Sequence, residues 1–422
     1  MLDYVTAWYV KAFAQIKANP LIKAAFVSTN SIMQGEQVSV LWKPLFDQGL
    51  HIQFAHRTFK WSNEGSGVAA VHCVIVGFGL EKPRKCDLWD YGALIGGQGQ
   101  LKKTRRINAY LVDAPAIFLT KIRKPLQADV TEMIFGSKPT DGGHLLLNAD
   151  EEKTLRASDP IASRYIRPFL GADEFLNNTP RYCLWLDKVT AHDLANSPEL
   201  KQRTEAVRAM RLASPKVPTQ KLAEVPHLFG EIRQPTDNYL LVPLHSSENR
   251  DFIPVGFLDS RVICGNANSL IPNATTYHFG ILSSTMHNAW TRAVCGRIKS
   301  DYRYSNTIVY NNYPWPSPSA AQIALIETAG QAVLDARAQH VGKSLAWLYN
   351  PETLPKNLQN AHDLVDDAVD EAYGYDKGND DTSRVAYLFE LYEKLTLAPL
   401  LEPSKPAPKV RRSKASRITP PG

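Results

Sequence analysis

The hydrophobic positions at the start of the chain alternate between helical and strand spacing. Within residues 1–18, apolar side chains recur every three or four positions and predict an amphipathic helix. Residues 23–30 form a short apolar run that predicts a buried strand. A second helix is predicted over about 35–48, with Gly49 at its cap position. The apolar faces of the two helices contain Val5, Trp8, Ala12, Phe13 and Ile16, and then Val38, Leu41, Trp42, Leu45 and Phe46.

Two further strands are predicted between residues 52 and 77. Ile52 and Phe54 alternate with polar neighbours, as in a half-buried strand, and residues 68–76 form a nearly continuous apolar run. The polar, glycine-containing segment 62–67 predicts the turn between them. The order helix, strand, helix, strand, strand favours a parallel sheet with crossover helices, in which the tight turn makes the last strand antiparallel.

The end of the first of these two strands interleaves aromatic and cationic side chains. They are Arg57, Phe59, Lys60 and Trp61. An aromatic face with positive charge beside it is what a base pulled out of a duplex requires. A hairpin whose aromatic residues fill a core has the same pattern, and the stretch alone leaves both interpretations open.

Composition sets limits on the class of protein. A chain of 422 residues with 44% hydrophobic and 21% charged residues is long enough for two or three globular domains. It has no apolar run of membrane-spanning length and no signal-peptide pattern. Its five cysteines are scattered without a C-x-x-C pair, which fits a reducing cytoplasm and argues against a structural zinc site.

The net charge of +6 belongs entirely to the C-terminal tail. Residues 403–422 contain six basic side chains and no acidic one, so residues 1–402 sum to zero. A nucleic-acid surface on the body must therefore come from local clustering. Residues 100–125 form one such cluster, which fits either a contact with the DNA backbone or a solvated linker face. Its basic side chains are Lys102, Lys103, Arg105, Arg106, Lys121, Arg123 and Lys124.

The middle of the chain mixes short strands, turns and few long helices. The predicted strands are 182–186, 239–243, 252–257 and 277–282, and the predicted helices are 198–212 and 284–295. Beyond the proline-rich segment 314–318, apolar stripes predict three helices that pack on one another or on the preceding domain. After residue 399 the basic, proline-rich tail is expected to be disordered.

Several residues that suggest other chemistry have simpler explanations. The pairs His192-Asp193 and His362-Asp363 lie in helical, acidic surroundings without further ligands, so helix-surface roles are favoured over metal binding. His144 follows a turn that enters an apolar strand. Ser28 and Ser31 lack the G-x-S-x-G setting of a hydrolase nucleophile.

Three segments carry a resemblance to a known family. They are LDYVTAWYVKA, FVSTNSIMQGEQVSVLW and HFGILSSTMHNAWTRAVCGRIKSDYRYSNTIVYNNYPWP. The chain, over about residues 1–398, resembles the C-terminal portion of the MmeI-like branch of adenine-specific, S-adenosylmethionine-dependent DNA methyltransferases. These are restriction-modification enzymes. In this family the last sheet strands form an antiparallel hairpin, and Phe59 matches the aromatic residue that stacks on the flipped adenine.

The resemblance implies a fold and a domain order. The fold class is α/β plus α+β. Residues 1–86 are expected to form part of a Rossmann-like methyltransferase sheet, residues 87–318 a mixed target-recognition domain, residues 319–398 a helical module and residues 399–422 the tail. Double-stranded DNA is the expected partner, and no membrane is implied.

Candidate DNA-contacting residues follow from this domain order. Arg57 and Lys60 flank Phe59, and the others lie in polar loops of the recognition domain: Arg233, Gln234, Asn249, Arg250, Arg297, Lys299 and Arg303. Arginine can make two hydrogen bonds to guanine, and asparagine or glutamine can make two to adenine. A phosphate contact or surface ion pair is the commoner role for each one separately. As a set, the alternation of basic residues and tyrosines over 297–304 is the strongest candidate for DNA contact.

The sequence departs from the family in what it lacks. The Asn-Pro-Pro-aromatic tetrad that holds the adenine amine is absent, as are the glycine motif for the methyl donor and the carboxylate-lysine motif of the nuclease. We therefore expect the chain to be inactive alone, with S-adenosylmethionine bound mainly by an upstream segment or partner chain. The alternatives are a stand-alone, non-catalytic DNA-binding specificity subunit and a degenerate remnant without DNA affinity.

Overall fold

The first sheet has five strands and two helices packed on one face. The computed structural model describes residues 2–61, 71–92 and 98–401. In chain order the elements are α1 (Thr6–Ala18), β1 (Ala24–Thr29), α2 (Gln37–Asp47), β2 (His51–Trp61), β3 (Val71–Gly79), β4 (Cys86–Asp90) and β5 (Gln100–Thr104). The strand order is β1-β3-β2-β4-β5. Tyr9 of α1 contacts Trp42 of α2 and Phe78 of β3, with ring centroids 5.2 and 5.4 Å apart, so both helices cover the same face.

The hairpin strand β3 lies between β1 and β2 and is antiparallel to both. The predicted helices, strands and antiparallel hairpin are therefore present, and β1 and β2 run in the same direction without being neighbours. Strand β4 pairs with β2 in parallel, and β5 closes the edge antiparallel to β4. These two strands were not predicted, and the sheet continues past the domain boundary expected at residue 86. The predicted polar turn at 62–67 lies outside the described residues, as does the tail from 402.

Residues 130–313 form three small sheets surrounded by short helices. The sheets have the strand orders β12-β10-β14-β6, β11-β16-β15 and β13-β8-β9-β7. The strands are β6 (Ile134–Phe135), β7 (Leu146–Leu147), β8 (Ile166–Leu170), β9 (Tyr182–Leu184), β10 (Tyr239–Pro243), β11 (His245–Ser246), β12 (Gly256–Leu258), β13 (Ile263–Cys264), β14 (Asn268–Pro272), β15 (Gly296–Ile298) and β16 (Asp301–Arg303). The helices are α3 (Ala149–Ser158), α4 (Pro160–Ser163), α5 (Ala172–Asn177), α6 (Ala191–Asn196), α7 (Pro198–Leu212), α8 (Val217–Lys221), α9 (Thr276–Ser283) and α10 (Thr285–Val294).

Four of the six elements predicted for this region are present. Helices 198–212 and 284–295 are present as α7 and α10, and strands 182–186 and 239–243 as β9 and β10. The predicted strand 277–282 is wrong, because those residues form helix α9, which begins after Thr275 accepts a hydrogen bond from the backbone N–H of Tyr277 at 3.2 Å. Residues 279–283 are all buried, so α9 has no polar face to reveal its helical period. Of the predicted strand 252–257, only its last two residues fall in β12.

Helices follow the proline-rich segment, as expected. They are α11 (Ala320–Ala338), the short α12 (Leu345–Leu348), α13 (Lys356–Tyr373) and α14 (Asp381–Leu401). They do not form a separate core. One hydrophobic cluster runs from Tyr9 of α1 and Phe78 of β3 through Trp290 of α10 to Phe389 of α14. A second cluster, between Leu145 and Ile263, lies under α3, α4 and α7. A third, small cluster lies between Phe175 and Leu270. The chain is thus a mixed α/β protein with one extended core, a smaller core between Leu145 and Ile263, and this third cluster.

Two fully buried histidines make the stability of this large core depend on pH. Burial lowers the pKa of both His287 and His362 to about 3. His287 bonds the hydroxyl of Tyr304 at 3.0 Å, and His362 bonds that of Tyr349 at 2.8 Å. Because both pKa values lie below the ordinary value near 6.5, the unfolded chain binds more protons between about pH 6.5 and 3, and stability falls with pH in that window.

We expect the free energy of unfolding to fall by about 1–2 kcal/mol between pH 7.5 and 5.5. Asp366 opposes part of this loss, because burial raises its pKa to about 6 and the folded state then takes up its proton near that pH. Urea denaturation at several pH values measures the effect. His362→Gln, which cannot be protonated, should reduce the slope, whereas replacement of the exposed His192 should leave it unchanged. An equal slope in all three proteins would contradict this assignment.

Within the residues that the structure describes, no helix is long and apolar enough to cross a membrane. The five cysteines are all unpaired and buried. Burial raises the pKa of Cys183, Cys264 and Cys295, so these thiols stay protonated at neutral pH.

Candidate nucleic-acid interface

A bulge in β2 determines which way Phe59 points. His56 pairs with Ile75 and Phe59 with Cys73, so two residues of β2 lie opposite a single residue of β3 between these pairs. In a regular strand, residues three apart point to opposite faces, but a bulge shifts the alternation by one. The rings of His56 and Phe59 consequently lie on the same side of the sheet, with centroids 6.5 Å apart.

Phe59 is part of a row of rings that we call the aromatic shelf: His56, Phe59, Trp61, Trp89 and Tyr91. The ring of Phe59 lies 5.3 Å from that of Tyr91 and 6.2 Å from that of Trp61. His56 stacks on Trp89 at 4.4 Å with an interplanar angle of 2°, and its Nδ1 bonds the hydroxyl of Tyr91 at 2.8 Å. Burial lowers the pKa of His56, so the ring is neutral at pH 7.

The aromatic shelf lies outside the packed interior. Phe59 is half-buried and belongs to none of the hydrophobic core clusters of the described residues. Trp61 is 47% exposed. The alternative from the sequence, in which these aromatic residues fill a core, is therefore not what the structure shows. The side chain of Phe59 is thus partly accessible to solvent.

Phe59 lies at the edge of the sheet where α/β proteins bind ligands. Strands β1 and β2 run in the same direction, so their carboxyl ends meet at one edge. The side-chain amide of Asn30, just after β1, donates to the hydroxyl of Thr58 at 3.4 Å. The polar residues that follow β1 thus lie beside the strand end that carries Phe59.

Arg57 and Lys60 have different surroundings. The guanidinium of Arg57 donates to the carboxylate of Asp90 at 3.0 Å and to the hydroxyl of Thr382, in the first turn of α14, at 2.5 Å. Burial favours the neutral form of Asp90, yet Arg57, Thr382 and the backbone N–H of Gly92 together hold its pKa well below the usual value. Arg57 therefore links β2 to β4 and α14 within the protein, and its guanidinium does not face solvent as a phosphate ligand would. Lys60 is exposed.

The candidates at 297–303 occupy the hairpin of β15 and β16, which we call the recognition hairpin. Lys299 lies at its tip, exposed, with a backbone φ of 56°, a left-handed conformation that is uncommon for lysine. Arg303 is exposed on β16 and pairs in register with His245 of β11. Both side chains are free to reach outward from the same small sheet.

Arg297 is held inside the recognition hairpin instead. Its guanidinium donates to the carbonyl of Ser300 at 2.7 Å, lies 3.5 Å from the carboxylate of Glu248 and stacks over the ring of Tyr302 at 4.3 Å. Its side chain is only 14% exposed. These contacts shape the hairpin and leave Arg297 poorly placed to contact a base directly.

The remaining loop candidates divide in the same way. Asn249 is exposed, whereas Arg250 is half-buried and bonds Ser246 at 3.2 Å. Arg233 forms an ion pair with Glu231. Gln234 donates to the carbonyls of Ser260 and Val262 and accepts from the N–H of Cys264. The distances are 3.0, 2.8 and 3.0 Å.

Gln234 is therefore a structural residue. Both of its amide protons are used within the domain, so the predicted two-bond contact with adenine has no donor. Its effect is to fix the loop before β10 against β13.

Two contacts join the first sheet to the recognition hairpin. His72 of β3 lies 3.8 Å from Glu248, the same carboxylate that contacts Arg297. Gly35, after β1, donates its N–H to the carbonyl of Val294 at 3.1 Å. Its φ is 57°, and a Cβ there would lie 3.2 Å from the Cα of Gly296, so glycine permits this close approach.

The basic stretch 100–125 is largely neutralised by acidic neighbours. Lys103 pairs with Asp87 at 2.6 Å and Lys121 with Glu36 at 2.7 Å. Lys102 lies 3.2 Å from both Asp90 and Asp380, and Lys124 lies 3.6 Å from Glu132. These ion pairs favour the interpretation of residues 100–125 as a solvated face of the protein over a contact with the DNA backbone. Arg105, Arg106 and Arg123 are exposed.

The histidine and serine residues set aside in the sequence have structural partners. Asp193 bonds Arg164 at 2.7 Å and Tyr165 at 2.5 Å. The helix-surface role predicted for His362 is wrong, because His362 is fully buried and its ring stacks on Phe252 at 3.9 Å. Ser28 bonds the hydroxyl of Tyr9 at 2.9 Å. Among the described residues no group of three or more His, Cys, Asp or Glu side chains is arranged to hold a metal ion.

The residues that organise this surface were mostly not predicted. Asp90, Glu248, Asp381 and Thr382 each connect elements that are distant in sequence. Asp90 ends an alternating strand pattern beside Trp89, which is a weak signal of a carboxylate directed into the protein. The others lie in ordinary polar segments, so their sequence neighbours give no indication of their partners.

Three domain families match consecutive regions of the chain. Residues 1–90 match the family described as the MmeI DNA-methyltransferase domain, residues 113–317 the MmeI target recognition domain and residues 318–400 the MmeI C-terminal domain. DNA methyltransferase A of Bacillus subtilis (strain 168) is 38% identical over 396 residues, which are 94% of this chain and 44% of that protein.

A solved structure agrees in three dimensions. The Type IIL restriction-modification enzyme MmeI in complex with DNA superposes with a TM-score of 0.83 and 46% identity, covering 93% of this chain and 52% of that one. The matches define a DNA methyltransferase domain followed by a target-recognition domain and a C-terminal domain. The chain belongs to the MmeI-like family of restriction-modification DNA methyltransferases. It spans about half the length of both relatives.

Proposed function

We propose that the chain supplies the base-holding strand and the DNA-recognition surface of a site-specific DNA adenine-N6 methyltransferase that uses S-adenosylmethionine and acts in the cytoplasm within a restriction-modification system. The observation that carries the proposal is the position of Phe59. Its half-buried ring lies at the carboxyl edge of the sheet, where the bulge in β2 turns it toward Tyr91. An unstacked adenine finds there the aromatic face that base-flipping proteins use.

The exposed cations supply the other requirement, a positive surface for phosphates and base edges. In this proposal Lys60, Lys299, Arg303 and Asn249 contact DNA, and Arg233 and Arg250 add positive charge to the recognition domain. Arg57 and Arg297 act as supports, because their guanidinium groups are already bonded inside the protein. Glu248 joins the two parts of the surface through His72 and Arg297.

The methyl donor is assigned to residues outside this chain. The turn after β1 contains a single glycine, Gly35, whose backbone N–H already donates to Val294 at 3.1 Å. That turn therefore does not fit a nucleotide-like cofactor, which requires free N–H groups in a glycine-rich turn. We propose that the donor and the Asn-Pro-Pro-aromatic tetrad are contributed by another segment or chain, and that this chain alone does not methylate DNA.

The surface at β1 is suited to receive that other half. Strand β1 is the last strand at its side of the described sheet, so one row of its backbone groups is unpaired. Large apolar side chains are exposed beside it, including Trp8 at 54% and Val27 at 54%. An open strand edge with an apolar surround is expected to pack against further protein. We propose that it completes a Rossmann-like methyltransferase domain.

The proposal is tested by reconstitution. The chain is mixed with a polypeptide that carries the family's donor-binding and tetrad motifs, together with labelled S-adenosylmethionine and DNA. Adenine methylation that requires both polypeptides is the expected result. DNA binding without methylation would favour the second candidate, a non-catalytic specificity subunit, which the absence of the tetrad from this sequence also supports. Absence of salt-dependent DNA binding would indicate a remnant.

Phe59→Ala is expected to weaken capture of an extrahelical adenine. Base stacking on an aromatic side chain contributes about 1–3 kcal/mol, which corresponds to roughly a five- to 150-fold loss of affinity. The measurement compares binding to a duplex with a mispaired target adenine and to the fully paired duplex. Phe135→Ala, at a phenylalanine that is 36% exposed on β6, is the matched control. Equal binding of the Phe59 variant and the wild-type chain would remove Phe59 from the base site.

A further inference from the structure

The first turn of α14 contacts the two parts of the interface simultaneously. The hydroxyl of Thr382 accepts a hydrogen bond from Arg57 at 2.5 Å and donates one to Asp90 at 2.5 Å. Arg57 lies two residues before Phe59 on β2. Asp380 caps the helix through Ser383, at 3.0 Å, and also receives Lys102 of β5 at 3.2 Å. Asp380 and Thr382, at the start of α14, thus both bond the sheet that carries the aromatic shelf.

Asp381, between Asp380 and Thr382, bonds the recognition domain. Its carboxylate accepts two hydrogen bonds from Arg292 of α10, at 2.6 and 3.1 Å, in the two-pronged geometry that fixes both groups in orientation. The third nitrogen of Arg292 donates to the carbonyl of Asp251 at 2.9 Å. Arg292 is therefore fixed on three sides.

Arg292 in turn is joined to the recognition hairpin. Helix α10 ends at Val294, and the hairpin begins two residues later at Gly296. The guanidinium of Arg297 approaches the carbonyl of Arg292 at 3.4 Å while stacking on Tyr302. Movement of the hairpin would therefore displace Arg292 and Asp381. Asp381 is next in sequence to Thr382, which bonds Arg57.

We propose that the first turn of α14, residues 380–382, is a positioning element that holds the recognition hairpin and the Phe59 strand at a fixed separation, so that a bound site presents its adenine to the aromatic shelf. Asp381 and Thr382 are positioning residues in this scheme, since their side chains are bonded to Arg292, Arg57 and Asp90 within the protein. The inference rests on the proposed function of Phe59 and the hairpin. It adds that recognition and base capture are linked through the C-terminal helix.

The test separates affinity from base extrusion. A site selected by the wild-type chain from a random duplex library is prepared with 2-aminopurine replacing each adenine in turn. Asp381→Asn and Thr382→Val are expected to change the dissociation constant less than threefold, while the fluorescence gain at saturating protein falls by at least half. Thr382→Ser keeps the hydroxyl and should restore the gain. Asp367→Asn, an exposed carboxylate on α13, is the matched control.

A second measurement needs no DNA. Amide hydrogen exchange of the free chain should be at least fivefold faster in Asp381→Asn and Thr382→Val, both in residues 57–61 and in the recognition hairpin, and unchanged in α7. Variants in which affinity and fluorescence fall in proportion, or in which only one of the two segments exchanges faster, would overturn the proposal. If the wild-type chain shows no fluorescence gain on any DNA, the proposed function fails, and the exchange measurement still decides whether the two segments are linked.

Discussion

Arg211→Ala is expected to destabilise the part of the protein built on the smaller core by about 3–5 kcal/mol, the range seen when a buried charged residue is removed from its partners. Arg211 is fully buried at the end of α7. Each of its five N–H groups has a backbone carbonyl as acceptor. These carbonyls belong to Pro139, Thr140, Leu222, Val225 and Leu228, at distances between 2.7 and 3.1 Å.

The size of this effect follows from what remains after the substitution. Alanine removes all five donors. The carbonyls of Pro139, Leu222 and Val225 each keep a hydrogen bond from a backbone N–H. Those of Thr140 and Leu228 lose the donor that satisfies them, and a buried unsatisfied polar group costs about 1–3 kcal/mol. Lysine is no substitute, because its three donors on one nitrogen cannot span two separate chain segments. Arg211→Lys should therefore lose nearly as much stability as Arg211→Ala.

The loss should be local. The smaller core, between Leu145 and Ile263, is distinct from the cluster that contains the first sheet. Hydrogen exchange is expected to accelerate between residues 140 and 230 and to stay unchanged in β2 and β3. Arg208→Ala, on the exposed side of the same helix, is the control. If the two variants unfold at the same denaturant concentration, the carbonyl cage around Arg211 contributes nothing to stability.

Sequence patterns predicted the elements whose apolar residues recur with a clear period or form a strand-length run. The stripes on α2 and α7 could be located because burial on one side leaves a period of 3.6 in the sequence. Helix α10 is buried almost throughout, but Met286, Ala289, Trp290 and Ala293 still recur at helical spacing. Phe59 could also be singled out, because aromatic and basic residues alternate around it. Helix α9 was predicted as a strand, since its buried run 279–282 contains no polar residue that would mark a helical period.

The sequence could not predict which groups within the folded chain each polar side chain would bond. Arg57, Arg297 and Gln234 have the side chains of DNA-contacting residues, yet each is bonded to groups that are close only in the folded chain. The bulge that turns Phe59 outward depends on the register between two strands, which no single strand encodes. Arg211 has the pattern of a solvated helix residue, and only the return of the chain at residues 222–228 converts it into a buried one.

Trp290→Ala is expected to weaken the whole of the larger core, including the first sheet. Trp290 is fully buried on α10 and donates its ring N–H to the carbonyl of Val309 at 3.0 Å. Its ring lies 5.2 Å from Phe389 of α14 and 6.2 Å from Tyr313. Removing a buried tryptophan costs about 3–5 kcal/mol, from lost burial and from the cavity that remains.

Because one cluster joins the sheet, α10 and α14, this loss cannot be confined to the C-terminal helices. Gly280 of α9 allows α9 and α11 to pack closely within this cluster, since a Cβ there would lie 2.6 Å from the side chain of Ile326 of α11. Urea unfolding followed by circular dichroism, with hydrogen exchange in β2 and α14, measures the effect. Trp8→Ala, at a tryptophan that is 54% exposed, should change stability by less than about 0.5 kcal/mol. Faster exchange confined to α14 in Trp290→Ala would mean that the C-terminal helices fold as a separate unit, and residues 380–382 could not then hold the recognition hairpin and the Phe59 strand at a fixed separation.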